Sequence, residues 1–465
     1  MVNRLLSVDS GSLQFPTDVR ETIAANLADA STLEGLALAS AKTYADAASA
    51  ANLRALVSKL DRGVSNAGIL VVSDSTGNQT NEWPYLVAQY LADKYPAYTV
   101  VARFWDEVGE VAYSSPVTVQ TGSGAYTLSV WIAAKAGSVP GYFLGSRFAA
   151  AVADIGTPDV VFINHGHNTG DPTTALATNG NTRNTLLSLT ETVAVTHPSA
   201  GIVLIAQNPT SVAGRETWQA LKANVLDEIA GYRGYGVLDV HQAFIDYGDW
   251  ETDLTNVDGI HPLPAGSLLW ASVVEDALAD ARAALPARIE TTPLLMNAKN
   301  YLSNFDFSSW AATDPDSWTP NSSATTSKDT TNYETGSQAC KVTGNGTSGA
   351  AQLEQALGAS KARELRGKLV TLAVRVRKPT ANTQTVRLVL LDSTGSGNQV
   401  VADVPAGAAG AAVDAYMWIF ITKRMDAAAT NVYVRLQSRT SGTTVVDASF
   451  DRAYLVQGLM PFCGS

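Results

Sequence analysis

Short, almost continuously apolar runs alternate with helical stretches through the middle of the chain. The clearest runs cover residues 68–73, 160–164 and 201–206, and strands of this composition are buried on both faces. Their alternation with helices predicts a parallel sheet in a doubly wound, flavodoxin-like α/β domain. A strand over residues 126–134 follows turn-rich residues and predicts a local hairpin, and a helix over residues 267–285 is expected to close the domain.

The hydrophobic period changes to two beyond about residue 291. Apolar and polar or small residues alternate over residues 369–377 and again over residues 432–437, as in strands with one buried face. Several such strands, joined by Gly-, Ser- and Thr-rich turns, predict an antiparallel β-sandwich of the jelly-roll kind. Pro286 and Pro293 bracket the expected linker between the two domains.

The N-terminal residues have helical character and periodically spaced small residues. Asp18 and Glu21 fit a capping box at the start of a helix. Positions four and three apart then fall on one helical seam, at Ala37, Ala41, Tyr44, Ala48, Ala51 and Ala55. This pattern fits an attachment or oligomerisation segment and equally an Ala-rich helix that packs on its own downstream domain. The predicted organisation is a helical segment (1–62), an α/β domain (63–287) and a β-sandwich (288–465).

Composition and charge restrict the partners. Charged residues make up 16% of the 465 residues, and the formal net charge is −11. Nucleic acids and anionic membranes are therefore disfavoured, and a neutral substrate such as a glycan fits better. We expect no secretion signal in residues 1–14 and no membrane span. The two cysteines, Cys340 and Cys463, exclude a zinc cluster and leave either one disulfide or two free thiols.

A serine follows the first predicted strand of the α/β domain. The strand over residues 68–73 leads directly to Ser75, at the sheet edge where open α/β sheets bind ligands. A serine hydroxyl becomes a useful nucleophile only beside a base. Of the five histidines, His261 has the most suitable setting, because Asp258 can hold one ring nitrogen and leave the other facing the serine. Taken singly, motifs this short also occur by chance in turns and loops.

The order and spacing of these pieces over about residues 67–285 resemble the GDSL or SGNH hydrolase family. The serine block reads Ser73-Asp74-Ser75-Thr76-Gly77, with Ser73 in place of the usual glycine. The family's Asp-x-x-His block matches Asp258 and His261 near the end of the domain.

Two further blocks complete the resemblance. Gly166 and Asn168 match the family's Gly-x-Asn, with Thr169 where an aspartate often follows. The glycine block follows the strand at 126–134, at Gly137 or, as the substitute, Gly141, and lacks the asparagine that often precedes it.

The resemblance implies a serine esterase with an oxyanion hole. Ser75 would be the nucleophile, His261 its base and Asp258 the carboxylate that orients the base. The backbone N–H groups of Ser75 and Gly137, together with the side-chain amide of Asn168, would bind the oxyanion. This chemistry needs no cofactor and no metal.

The other histidines receive no catalytic role. His165 and His167 flank Gly166, where substrate contact or loop packing is favoured over a metal pair. His197 and His241 are expected to be structural. The Gly-x-Gly-x-x-Gly pattern at residues 344–349 lies between predicted strands without a following helix, so it is expected to be a turn.

The two ends of the C-terminal segment, residues 304–310 and 450–455, resemble those of jelly-roll carbohydrate-binding modules. Such a resemblance implies sugar binding. Exposed aromatic rings could stack on sugars, with Trp310, Trp318 and Tyr333 as candidates, although aromatic residues in a sandwich more often belong to the core.

The order of the three segments resembles that of bacteriophage tail-associated proteins. The resemblance implies an esterase that removes O-acetyl or other acyl groups from a bacterial surface polysaccharide. It also implies a virion-tail or extracellular location, a homotrimer and contacts with other virion tail proteins. A catalytically inactive receptor-binding tail protein and a lipase or thioesterase are the alternatives.

Overall fold

The predicted α/β fold is confirmed by a seven-stranded sheet. The computed structural model describes residues 48–170, 182–282, 299–393, 399–404 and 414–458. The strand order is β3-β2-β4-β1-β5-β6-β7, and every neighbouring pair is parallel except β2 and β3. The strands are β1 (Ala67–Ser73), β2 (Thr99–Phe104), β3 (Val117–Gln120), β4 (Thr127–Ala134), β5 (Val160–Asn164), β6 (Gly201–Ala206) and β7 (Gly236–Asp239).

Helices cover both faces of this sheet. Leu70 and Val72 of β1 pack into one core and Ile69 and Val71 into the other, as period-two side chains must in a strand buried on both faces. The helices are α1 (48–62), α2 (Trp83–Lys94), α3 (Ser146–Val152), α4 (Thr182–Thr196), α5 (Trp218–Arg233), α6 (Val240–Tyr247), α7 (Trp250–Asp253) and α8 (Pro264–Asp280), with a 3₁₀ helix at Pro140–Phe143.

The strand predicted at 126–134 is present but is not part of a hairpin. It is β4, which lies parallel between β1 and β2, while the antiparallel pair of this region is formed by β2 and β3. Hydrophobic periodicity identifies a strand but not its neighbours. The consequence for the site is direct, because Ser73 and Ala134 are register partners and the segments leaving β1 and β4 emerge side by side.

Helix α1 packs on the α/β domain. Its residues lie in the predicted N-terminal segment 1–62, which precedes the predicted start of that domain at residue 63. Ser49 donates its hydroxyl to the Val237 carbonyl, and the Asn52 side chain bonds Ile202 N–H and the Gly234 carbonyl. The approach at Gly201 is so close that a Cβ there would lie 1.8 Å from the Asn52 carbonyl oxygen. Residues 1–47, the two linker prolines and Cys463 lie outside the described residues.

The C-terminal part is the expected antiparallel sandwich of two five-stranded sheets. The orders are β15-β12-β17-β10-β9 and β14-β13-β16-β11-β8. The strands are β8 (Thr319–Pro320), β9 (Ala324–Asp329), β10 (Ala339–Gly344), β11 (Ala351–Ala356), β12 (Leu369–Arg377), β13 (Arg387–Asp392), β14 (Val400–Asp403), β15 (Tyr416–Arg424), β16 (Val432–Arg439) and β17 (Asp447–Gln457); helix α9 is Gly358–Leu365. Cys340 lies buried in this core, where burial raises the pKa of its thiol. The Gly-rich segment 344–349 joins β10 to β11.

Helix α4 closes the free edge of β15. The backbone N–H of Phe420 donates to Ser188 Oγ at 3.3 Å, and that of Thr422 donates to Asn184 Oδ1 at 3.1 Å. An exposed edge strand offers a row of unpaired polar groups, and here two side chains of the neighbouring domain bond two of its N–H groups. The two domains therefore share a packed, hydrogen-bonded interface.

Candidate active site

The loop that follows β1 holds Ser75 in a tight, buried turn. The N–H of Gly77 donates to the Asp74 carbonyl at 3.3 Å, and the buried Asp74 carboxylate accepts both the N–H and the hydroxyl of Thr76. A Cβ on Gly77 would lie 2.5 Å from Ser73 Oγ, so this position has no room for a side chain. The turn thus presents Ser75 at the carboxyl edge of the sheet, where ligands bind in such folds.

The structure brings Ser75, His261 and Asp258 into one hydrogen-bonded chain. Nε2 of His261 lies 2.8 Å from Ser75 Oγ, and Nδ1 lies 2.6 Å from Asp258 Oδ2. A carboxylate only accepts, so Nδ1 carries the proton in the neutral ring and Nε2 is left to accept from the hydroxyl. Serine, imidazole and carboxylate so ordered can transfer an acyl group.

Asp258 is held ionised by its local environment. Burial alone would raise its pKa, but hydrogen bonds from the His261 ring and from the backbone N–H groups of His261 and Ile260 outweigh burial and lower it. A carboxylate that stays charged stabilises the imidazolium formed during catalysis.

The loop carrying Asp258 and His261 is closed on itself and on a neighbouring loop. The N–H of Asn256 donates to the His261 carbonyl at 2.8 Å. The Gly259 carbonyl accepts from Thr210 Oγ1 and from the Ser211 N–H. Gly259 has φ +71°, and a Cβ there would meet Ser211 Oγ at 2.7 Å, which requires glycine at this turn.

Asn168 lies against the loop that follows β4. Its Nδ2 donates to the Ser138 carbonyl at 3.0 Å, which joins the two blocks expected to supply oxyanion donors. Gly137 has φ +71° and open space around it, three residues beyond β4, whereas Gly141 is buried in the 3₁₀ helix. The pairing of Ser73 with Ala134 keeps the Gly137 loop beside the Ser75 loop.

Two of the three departures from the GDSL/SGNH pattern, Ser73 and Thr169, have local partners. Ser73 is fully buried and its hydroxyl accepts from Asn164 Nδ2 at 2.8 Å. Thr169 closes the turn 166–169, because its N–H and hydroxyl both donate to the Gly166 carbonyl. The buried Lys222 ammonium donates to the same carbonyl. Both substituted side chains are therefore hydrogen-bonded within their own part of the site.

Two side chains directly after β6, Gln207 and Asn208, connect three of the loops at the site. Gln207 donates from Nε2 to the Asp74 carboxylate and accepts the His167 N–H on Oε1 at 2.8 Å. Asn208 accepts on Oδ1 from His167 Nε2 and donates from Nδ2 to the Ile260 carbonyl. Sequence reasoning missed both. Their signal was a polar pair directly after an apolar strand, at the ligand-binding edge.

His167 and His165 differ in their partners. His167 Nδ1 faces Gln219 Nε2, a donor, and its Nε2 faces Asn208 Oδ1, an acceptor, so the neutral Nε2–H tautomer satisfies both. Both ring nitrogens of the buried His165 are without hydrogen-bond partners among the described residues. Burial lowers the pKa of each ring to about 4. Both rings are therefore neutral near neutral pH, and His167 belongs to the hydrogen-bonded network between the loops.

A buried carboxyl group, Glu82, lies at the start of α2 beside the site. Its Oε2 accepts the Gln79 N–H at 2.9 Å. Burial is the main cause that raises its pKa to about 7, against the opposing effect of that hydrogen bond and of His261. Its charge therefore changes close to neutral pH.

The candidate sugar-stacking aromatics of the sandwich divide by exposure. Trp318 is 3% exposed and packs on Phe307, and Trp310 donates its ring N–H to the Phe307 carbonyl. Tyr333 is 42% exposed. Tyr333 is therefore the most exposed of the three rings.

Within the described ranges, no group of three or more His, Cys, Asp or Glu side chains could hold a metal ion. No helix in the same ranges is long and apolar enough to cross a membrane.

Comparisons with known proteins give structural likenesses at low identity. No protein-family model and no curated protein sequence matches the chain. A two-domain esterase (CEX) active on acetylated mannans shares 12% identity at TM-score 0.39, over 88% of this chain and 94% of that one. A putative SGNH hydrolase from Slackia heliotrinireducens shares 19% at 0.32, over 46% and 99%. The C-terminal family 22 carbohydrate-binding module of Clostridium thermocellum Xyn10B shares 17% at 0.26, over 33% and 92%.

Proposed function

We propose that the α/β domain is a serine esterase of the SGNH type. The observation that carries the proposal is the unbroken chain of hydrogen bonds from Ser75 Oγ through His261 to the Asp258 carboxylate. The hydroxyl lies at the ligand-binding edge of the sheet, and its base is already oriented by a charged partner. Acyl transfer to serine needs these features.

In this proposal Ser75 Oγ attacks the ester carbonyl carbon while His261 Nε2 takes the hydroxyl proton. The carbonyl oxygen becomes an oxyanion, which the N–H groups of Ser75 and Gly137 and the Asn168 amide stabilise. The C–O bond to the alcohol then breaks as His261 returns its proton to that oxygen. Water then attacks the acyl-serine while His261 Nε2 takes a proton from it. The bond between the acyl carbon and Ser75 Oγ breaks, His261 returns the proton to Oγ, and the carboxylic acid leaves.

For the substrate we propose O-acetyl or other acyl groups of a bacterial surface polysaccharide. The net charge of −11 favours a neutral glycan over nucleic acids or anionic membranes. The segment order supports a role in a phage tail, as a homotrimer with other virion tail proteins. The sandwich, with its exposed Tyr333, would hold the glycan.

The proposal is tested with wild-type protein and Ser75→Ala on two substrates, p-nitrophenyl acetate and purified O-acetylated bacterial polysaccharide. We expect acetate release from both by the wild type and from neither by the variant. Equal turnover by Ser75→Ala would reject the assignment of the nucleophile. A trimer predicts a mass in light scattering three times the chain mass of 48.9 kDa.

Two alternatives are separated by simple measurements. The lipase or thioesterase alternative rests on the fact that the same site can cleave any accessible acyl bond. A preference for long acyl chains across a series of p-nitrophenyl esters would favour it. The inactive receptor-binding alternative rests on the Ser73 and Thr169 substitutions and on the missing asparagine of the glycine block. Covalent labelling of Ser75 by a fluorophosphonate would exclude it.

A further inference from the structure

Glu107, on the loop between β2 and β3, bridges the two loops that flank the site. Its Oε1 accepts from Asn78 Nδ2 at 2.6 Å, and its Oε2 accepts from the Ala136 N–H at 2.9 Å. Its backbone carbonyl also accepts from Lys135 Nζ at 2.6 Å. One residue therefore holds the end of the Ser75 loop and the residue directly before Gly137.

The bridge lies where the sheet no longer fixes the distance between these loops. The last register pair of β1 and β4 is Ser73 with Ala134, and both proposed N–H donors, Ser75 and Gly137, lie beyond it. An oxyanion hole works only when its donors are together about 2.7 to 3.1 Å from the developing charge. A carboxylate with one oxygen on each loop sets that separation.

The Asn78 side chain relies on this contact. Its Oδ1 is buried and makes no hydrogen bond within the described part of the chain, so the bond from Nδ2 to Glu107 is the one that orients the amide. The residue is only half-buried, and its role can be probed without opening the hydrophobic core.

Glu107 is itself carried by a braced loop. The Asp106 N–H donates to the Ala112 carbonyl at 3.0 Å, and the Glu110 N–H donates to the Asp106 carbonyl at 2.8 Å. Glu110 also pairs with Lys135, at the start of the Gly137 loop, and with Arg147 of α3. The backbone bonds within the loop hold Glu107 in place, so its carboxylate can position the two loops that it contacts.

We propose that Glu107 is a positioning residue that sets the spacing between the Ser75 and Gly137 backbone donors. This inference rests on the proposed esterase function. Glu107 acts through Asn78 and Ala136 and does not touch the substrate. Its contribution is to the transition state, so its loss lowers kcat and leaves ground-state binding nearly unchanged.

The test is steady-state hydrolysis of p-nitrophenyl acetate by Glu107→Gln. The amide offers one oxygen acceptor in place of two, so only one of the two loops stays bonded. We expect kcat to fall roughly tenfold or more, with KM within about twofold of the wild type. Asp106→Asn is the matched control, because its carboxylate bonds the N–H of Val108 within its own loop; its kcat should stay near that of the wild type.

A second variant, Asn78→Ala, removes the same bridge from the other side. If both act through one contact, the double variant with Glu107→Gln should lose no more activity than the worse single variant. Equal melting temperatures of the wild type and Glu107→Gln exclude general unfolding as the cause. If Glu107→Gln has a lower melting temperature than the wild type, the kcat values of Asn78→Ala and of the double variant test the positioning role instead.

The outcomes separate this inference from the function on which it rests. If the wild type turns over the ester and Ser75→Ala does not, while Glu107→Gln keeps the wild-type kcat, the esterase stands and the positioning role is rejected. If both single variants lose activity and their losses in kcat add fully in the double variant, Glu107 and Asn78 do not act through one shared contact. If the wild type neither turns over the ester nor reacts with a fluorophosphonate, the proposed function fails, and the positioning role fails with it.

Discussion

The Asp258 carboxylate accepts three hydrogen bonds, two of them from His261 and one from Ile260. Oδ2 lies 2.6 Å from His261 Nδ1, while Oδ1 accepts the backbone N–H of His261 at 3.0 Å and that of Ile260 at 2.9 Å. The two oxygens therefore have separate tasks, one shaping the loop and one orienting the ring. Although both side chains are about 40% exposed, with 38% for His261 and 43% for Asp258, the ring is not free to turn.

The separate tasks make Asp258→Asn an informative variant. Asparagine can keep Oδ1 on the two backbone N–H groups, but its amide donor then faces Nδ1 and favours the wrong imidazole tautomer. We expect kcat to fall roughly 10³- to 10⁴-fold with the melting temperature little changed. Activity close to that of the wild type would show that Asp258 does not orient the base.

Asn168→Ala tests the side-chain donor of the oxyanion hole. Loss of one preorganised donor typically lowers kcat roughly 10²- to 10³-fold, and we expect this loss with KM nearly constant. Since Asn168 also bonds the Ser138 carbonyl, thermal melting must be measured alongside. A lower melting temperature with unchanged kcat would assign the residue to loop anchoring alone.

Glu82→Gln tests the buried carboxyl beside the site through the pH dependence of stability. The folded pKa of about 7 lies above the usual 4.5, so between these values the folded state binds more protons than the unfolded state. The contribution of Glu82 to the free energy of unfolding then falls as pH rises from about 4.5 to 7, by roughly 3 kcal/mol at most. Glutamine does not titrate, so this contribution should be absent from the variant.

Urea unfolding at pH 5 and pH 8 measures the effect. We expect the difference in unfolding free energy between the two pH values to shift in favour of pH 8 in Glu82→Gln relative to the wild type. An identical pH dependence in both proteins would show that Glu82 titrates as an ordinary exposed carboxyl.

Asn184→Ala tests the interface between the domains. The variant leaves the buried Thr422 N–H at the edge of β15 without the Asn184 oxygen, and an unsatisfied buried donor costs about 1 to 3 kcal/mol. Thr192→Ala is the control, because its hydroxyl bonds only within α4, to the Ser188 carbonyl. We expect a lower unfolding free energy for Asn184→Ala than for Thr192→Ala; equal values would contradict the interface contact.

Sequence could predict the parts of the fold that depend on residues close together along the chain. A continuous apolar run identified β1 and β5, and period-two alternation identified β12 and β16. The candidate site residues also belong to local patterns, namely Ser75 after its strand and Asp258 three residues before His261. Sequence alone could therefore identify them as candidates. Their catalytic roles remain predictions until activity is measured.

The parts that the sequence could not predict depend on which elements become neighbours. The insertion of β4 between β1 and β2 follows from packing of the whole sheet, since periodicity is the same for an edge and a central strand. The side chains of Glu107, Gln207 and Asn208 bond residues that are 29 to 133 positions away in the sequence. The packing of α1 depends likewise on two glycine positions, Gly201 and Gly236, that admit its backbone.

The most direct test of the central claim is covalent labelling with a fluorophosphonate, with the modified residue located by mass spectrometry. The reagent reacts with a serine only when its hydroxyl is activated. We predict one label per chain, on Ser75, and a strongly reduced labelling rate in His261→Ala. Absence of the label from the wild type, or a label on another serine with Ser75 unmodified, would contradict the account.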